Sequence, residues 1–172
     1  MIVIDVGNTN IVIGFYKKNK LIKIIRLKTE KKINITQKEI NKFFKSNKKL
    51  INNLKDRFCI LSSVVPSINS IFKNIFQKNK FKFYAINPKK ISFRNSINYN
   101  LNQIGSDRIA NYAYVHSKKI KDCIIVDFGT ATTFDVIKNN QYLGGLIFPG
   151  INLSYLEKLI HLNICLLYTS DA

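Results

Sequence analysis

The sequence predicts an α/β fold assembled from two related halves. Two observations carry this. Apolar strand-like runs alternate with helical periodicities over residues 1–116, and the opening pattern restarts near residue 124. The 46% apolar content, with 12 Phe and 8 Tyr in 172 residues, supplies a packed core and excludes wholesale disorder.

Each element follows from its local pattern. Ile2 to Val6 is a short apolar run stopped by Gly7-Asn8, Ile11 to Tyr16 follows, and a polar turn at Lys17–Lys20 leads into Leu21 to Leu27. Thr36 is read as the N-cap of a helix with Ile40, Phe43 and Phe44 on its apolar face. Arg57 to Val65 reads as a buried strand ending at Pro66. Ser67 then caps a helix on which Ile68, Ile71, Phe72, Ile75 and Phe76 keep helical spacing. Phe81 to Ile86 is another strand, followed by an irregular loop to about Gln103. Ile109, Tyr112, Ala113 and His116 mark a helix from near Ser106.

The restart is close. Ile2-Val-Ile-Asp5-Val-Gly7-Asn-Thr9 aligns with Ile124-Ile-Val-Asp127-Phe-Gly129-Thr-Ala131 at an offset of 122. Each copy is a buried strand ending in Asp-x-Gly, then a second strand, then a polar turn (Lys17–Lys20; Lys138–Gln141). The expected division is an N-terminal α/β domain over 1–121 and the start of a second over 122–164, with a cleft between them. Residues 165–172 contain no Lys, Asn or Ile and read as a foreign or truncated tail. A second half this short is expected not to close a normal core, which bears on whether this chain is active.

The net charge of +18 first suggests a polyanionic partner. Only 4 of the 28 basic residues are Arg, however, and Lys, Asn and Ile together supply 73 of 172 residues. That excess follows A/T-rich codons, and base readout favours Arg, so nucleic acid is not expected as a partner. Cys59, Cys123 and Cys165 form no Cys-x-x-Cys and suggest neither a disulfide framework nor a zinc site. The N-terminus has no signal-peptide pattern, and no apolar stretch reaches membrane-spanning length. The expectation is a cytoplasmic protein away from membranes.

Four elements carry chemistry. In Asp5-x-Gly7-Asn8-Thr9, a strand-end carboxylate can hold hydrated magnesium, and short polar donors can meet phosphate oxygens. The plain structural alternative is a hairpin turn. The second copy, Asp127-Phe-Gly129-Thr130-Ala-Thr132-Thr133, favours a phosphate clamp. Gly105-Ser106-Asp107-Arg108 opens a helix. It reads either as capping by Ser106 with Arg108 on the surface, or as an anion site with Asp107 placed to accept a proton. Tyr142-Leu-Gly144-Gly145-Leu-Ile-Phe-Pro149-Gly150 is a strand leading to a tight turn and a helix start at Ile151, with a backbone that admits a ligand closely. Ser62-Ser63 at a strand's C-terminal end is candidate cleft lining. His116 reads as a packed or surface histidine, and His161 falls beside the odd tail.

In order and spacing these motifs resemble type III pantothenate kinase, of the superfamily that includes actin and the sugar kinases; the resemblance covers roughly residues 1–160. It implies a duplicated, ribonuclease-H-like (actin-like ATPase) fold, here with an incomplete second domain. It further implies ATP-dependent phosphorylation of pantothenate, the first step of coenzyme A biosynthesis. On that resemblance Asp5, Val6, Gly7, Asn8, Thr9, Asn10, Ile11, Val12 and Thr130 contact ATP, with Mg2+ near Asp5. Asp107 is the catalytic base toward the primary hydroxyl of pantothenate, and Gly105, Ser106 and Arg108 help bind that substrate. Asp127 is a ligand of a monovalent cation, K+ or NH4+. Tyr99 is the matching pocket tyrosine, although the segment lacks the proline often found there. A homodimer is implied for the longer family members.

Two rivals stand beside this reading. One is a basic nucleic-acid-associated regulator on a degenerate kinase fold, supported by a net charge of +12 over residues 17–57. The other is a different small-molecule kinase of the superfamily, which Gly-x-Asp-Arg and the Asp-x-Gly-Asn-Thr spacing disfavour.

Overall fold

Alternation along β1 (Ile2–Val6) sets the first sheet: Ile2, Ile4 and Val6 are fully buried, whereas Asp5 emerges on the other face. The computed structural model describes residues 1–30 and 32–151. It divides into two compact units, one of Met1–Arg94 with Asn100–Ala113, the other of Asn95–Tyr99 with the chain from Tyr114 onward.

In the first unit, β2 (Asn10–Lys17) and β3 (Lys20–Lys28) form an antiparallel meander with β1, while β4 (Phe58–Ser63) and β5 (Lys82–Ala85) extend the sheet in parallel. The strand order is β3-β2-β1-β4-β5. Helices α1 (Ile33–Ser46) and α3 (Pro66–Lys78) supply Ile40, Phe43, Ile68, Phe72 and Phe76 to the core. A chain of ring contacts, Phe15–Phe43–Phe44–Phe76–Phe81, links the sheet to both helices at centroid distances of 5.0–6.0 Å. Each such pair contributes roughly 0.5–1.5 kcal/mol beyond area burial.

Several expected caps are corrected. Helix α1 begins three residues before Thr36, and the Thr36 hydroxyl instead meets the backbone of Glu30, accepting at 3.1 Å and donating at 3.3 Å. Helix α3 begins at Pro66, with Val65 rather than Ser67 in the cap position; a first-turn proline sacrifices no helical hydrogen bond. A short helix α2 (Lys48–Asn52) and 3-10 turns at Pro88–Lys90 and Arg94–Ser96 lack long periodic patterns and escape sequence reading. Helix α4 (Ser106–Ser117) starts as expected, but the Gly105 carbonyl takes the first helical hydrogen bond, from Ile109 N–H, so Gly105 and not Ser106 occupies the cap position.

The second unit repeats the meander as β6 (Cys123–Phe128), β7 (Ala131–Lys138) and β8 (Gln141–Pro149), in the order β6-β7-β8. Both hairpins close on two residues with positive φ: Lys18 (46°) and Asn19 (62°), then Asn139 (50°) and Asn140 (59°). The register shift also recurs, between Phe15 and Tyr16 and between Val136 and Ile137. One residue is lost at the second motif loop: Val6 pairs with Ile11, but Phe128 pairs with Thr132. The expected helix start at Ile151 stands at the edge of the described residues. The expectations for residues 152–164, His161 and the 165–172 tail lie outside them.

Candidate active site

The parallel register of β1 and β4 puts Asp5 beside Ser62 and Val6 beside Ser63 at the strands' C-terminal ends. The loop after β1 is closed by Gly7 N–H donating to the Asn10 carbonyl at 2.9 Å, leaving Asn8, Thr9 and Asn10 exposed. Of the other residues expected to contact ATP here, Val6 and Ile11 are buried and Val12 half-buried, so any contact from Val6 or Ile11 is through backbone. Sequence reasoning missed Thr29. Its hydroxyl donates to the Gly7 carbonyl at 2.8 Å and its amide to the Thr9 carbonyl at 2.9 Å. The available signal was its place at the end of β3, which runs back alongside β2 to the loop.

The start of α4 joins this edge. Ser106 Oγ accepts from Ser63 N–H at 2.7 Å and donates to the Ser63 carbonyl at 2.8 Å, with Ser62 Oγ at 3.4 Å. Asp5 and the Gly105–Arg108 tetrapeptide thus converge through β4. Asp107 Oδ1 accepts from Arg108 N–H at 2.8 Å, and a Cβ on Gly105 would collide with that same oxygen. Arg108 is 5% exposed, which overturns its placement on the surface under the plain capping reading. Ser62, through its hydroxyl, and Ser63, through its backbone, tie the end of β4 to Ser106.

In the second unit, Asp127 is exposed and paired in register with Thr133. The turn after it is held by Gly129 N–H donating to the Ala131 carbonyl and Gly150 N–H donating to the Thr130 carbonyl, both at 3.0 Å. Thr130 is exposed. Tyr99 lies elsewhere in this unit. Its ring sits over Gly144, which has φ +108°, and edge-on to Tyr142 at 6.3 Å. Gly144 is three positions along β8 from Ile147, the residue level with Thr133, so about 10 Å of strand separate the levels of Tyr99 and Asp127. Buried Tyr142 donates to buried Asp135 at 2.6 Å.

A family model for type III pantothenate kinase matches residues 1–162. The chain belongs to the type III pantothenate kinase family. A type III pantothenate kinase from Desulfosudis oleivorans is 35% identical over 164 residues, covering 90% of this chain and 61% of that relative. The chain thus spans under two thirds of the length of the curated relatives it matches. A solved Campylobacter jejuni structure, assigned to the Baf family of transcriptional activators, shares 26% identity at a TM-score of 0.56. It covers 94% of this chain and 60% of that one. A Porphyromonas gingivalis structure assigned as an N-acetylglucosamine kinase shares 9% identity at a TM-score of 0.51, over 85% of this chain and 47% of that one. That likeness speaks for the sugar-kinase fold alone.

Proposed function

We propose that the protein phosphorylates pantothenate with ATP. The observation that carries the reading is the convergence, inside one unit, of the Asp5 loop and Asp107 through the Ser62–Ser63 end of β4. Phosphoryl transfer demands positioning and charge neutralisation more than covalent work by the protein. Asp107 takes the proton of the primary hydroxyl; the hydroxyl oxygen bonds to the γ-phosphorus as the bond to the β–γ bridging oxygen breaks, and ADP leaves. Gly105 and Arg108 border the substrate, and Tyr99 is proposed as a further contact.

Among the described residues no three His, Cys, Asp or Glu side chains gather as a metal cage. An exposed carboxylate at Asp5 suits a magnesium ion that keeps its water and takes phosphate oxygens. When bound, that ion neutralises phosphate charge. In the second unit, Asp127 is proposed to hold K+ or NH4+ and Thr130 to contact nucleotide; a carboxylate beside turn carbonyls supplies the hard oxygen donors such a cation takes. No helix among the described residues is long and apolar enough to cross a membrane. A homodimer and a cytoplasmic setting are proposed on family membership.

The test is pantothenate-dependent ADP release by the wild type and by Asp107→Asn. Activity in the first that falls at least about a hundredfold in the second supports the base role, and equal turnover in both sinks it.

A second reading, a nucleic-acid-associated regulator, draws on the Campylobacter jejuni likeness and on the +12 charge of residues 17–57. Duplex binding that weakens steeply with salt, without kinase turnover, would favour it.

A further inference from the structure

We infer that Ser106 is a positioning residue that aims Asp107, and that its hydroxyl does not bind substrate. This deepens the proposed kinase reading and rests on Asp107 acting as the base.

The argument is one of hydrogen-bonding capacity. A serine hydroxyl has one proton to give and two lone pairs. The Ser106 proton goes to the Ser63 carbonyl at 2.8 Å, and one lone pair takes Ser63 N–H at 2.7 Å. The second lone pair faces Ser62 Oγ at 3.4 Å. Nothing remains to donate to a ligand, and the residue is 9% exposed. Family resemblance alone would count Ser106 among the substrate contacts; its hydroxyl is committed to the end of β4.

What this latch fixes is the next residue. Clamping the first residue of α4 at both polar groups of Ser63 fixes where the helix begins and which way residue 107 leaves it. Two local features then set the carboxylate itself. Arg108 N–H belongs to the first helical turn, where an amide has no carbonyl one turn earlier to bond, and it donates to Asp107 Oδ1 at 2.8 Å. Gly105 has no Cβ, and one would collide with that oxygen. Asp107 Oδ1 is therefore held between the glycine and the Arg108 amide, while the latch holds the backbone that carries all three.

The experiment compares the wild-type chain with Ser106→Ala, Ser106→Thr and Asp107→Asn, reading amide exchange at Ser63 and Arg108 alongside pantothenate kinetics. Amides of β1 serve as the folding control. In Ser106→Ala, exchange at both amides should accelerate about tenfold while β1 stays protected, as expected for a lost hydroxyl partner. Turnover should fall while KM for pantothenate holds within about twofold, the pattern of a lost transition-state interaction. Ser106→Thr, which keeps the hydroxyl, should restore both. A raised KM with unchanged turnover in Ser106→Ala would show a substrate contact and overturn the inference. So would an Arg108 amide that stays protected, and that result leaves the base assignment standing. Wild-type turnover in Asp107→Asn is the separate failure: it removes the base reading, and the purpose assigned to the latch goes with it.

Discussion

Thr29 and Gly7 are tied by a 2.8 Å hydrogen bond from the threonine hydroxyl to the glycine carbonyl, and Thr29 N–H binds Thr9 beside it. The chain leaving β3 therefore braces the loop proposed to cradle phosphate. Thr29→Val removes the hydroxyl at about 1 kcal/mol, which corresponds to roughly fivefold in ATP KM if the loop relaxes. Thr29→Ser should behave as wild type. An unchanged ATP KM in the valine variant would separate the brace from nucleotide binding.

Gly150 is fitted against the turn of the second motif. A Cβ there would stand 2.5 Å from the Thr130 carbonyl oxygen and would also collide with that of Gly129. Both are backbone atoms in a hydrogen-bonded turn and have little room to yield. Gly150→Ala is expected to destabilise the second unit by about 1–3 kcal/mol. Gly7→Ala, whose nearest neighbour is the Asn10 carbonyl oxygen at 3.3 Å, is expected to cost less. Thermal unfolding of the two variants decides this, and equal midpoints would refute the assigned difference.

Tyr142 and Asp135 are both fully buried and share a 2.6 Å hydrogen bond. Tyr142→Phe keeps the ring that meets Tyr99 and removes only the donor to the carboxylate. Removing one partner of a buried hydrogen bond costs roughly 1–3 kcal/mol, so the melting temperature should drop by several degrees. A variant as stable as wild type would mean that the remaining surroundings of Asp135 suffice.

Burial pushes the Cys59 thiol well above its ordinary value of 9.0, against the opposing pull of the nearby N-terminal ammonium. The folded chain keeps this proton where the unfolded chain releases it. The contribution to stability is therefore complete below pH 9 and is lost as pH rises further. Cys59→Val should lose less stability than wild type between about pH 9 and 10.5. Alkylation at neutral pH should mark the half-buried Cys123 well before Cys59. Parallel pH slopes in the two proteins would contradict the assignment.

What was legible in the sequence was what periodicity and repetition encode. Alternation in Ile2–Val6 set both strand and face, and the 3–4 spacing from Ile68 to Phe76 set α3. The motif loops stood out because Gly and Asp interrupt apolar runs twice. Contacts between distant segments were not legible. Ser106 looks like a cap in any single-sequence reading, and only the return of β4 beside β1 brings Ser63 to its hydroxyl. Thr29 is a similar case, since its role depends on the loop backbone that the fold lays against it, and the burial of Arg108 is likewise set by packing that its tetrapeptide does not encode.

The repeat also yields a comparison that neither copy gives alone. Ile2, Ile4 and Val6 are 0% exposed, whereas their counterparts Ile124, Val126 and Phe128 are 63%, 41% and 67% exposed. In the first unit β4 pairs with the outer edge of β1 and helices close the face; among the described residues β6 pairs only with β7. Contiguous exposed apolar surface of this kind binds hydrophobic dyes and promotes association. The 172-residue chain should therefore enhance the fluorescence of an anilinonaphthalene dye and show concentration-dependent sedimentation. Replacing Ile124 and Phe128 together by Thr should reduce both signals, while the same change at Ile2 and Val6 should unfold the first unit, because fully buried apolar side chains cost about 1.5–3 kcal/mol each to lose. Dye binding that the Ile124/Phe128 double variant leaves untouched would place the apolar surface elsewhere.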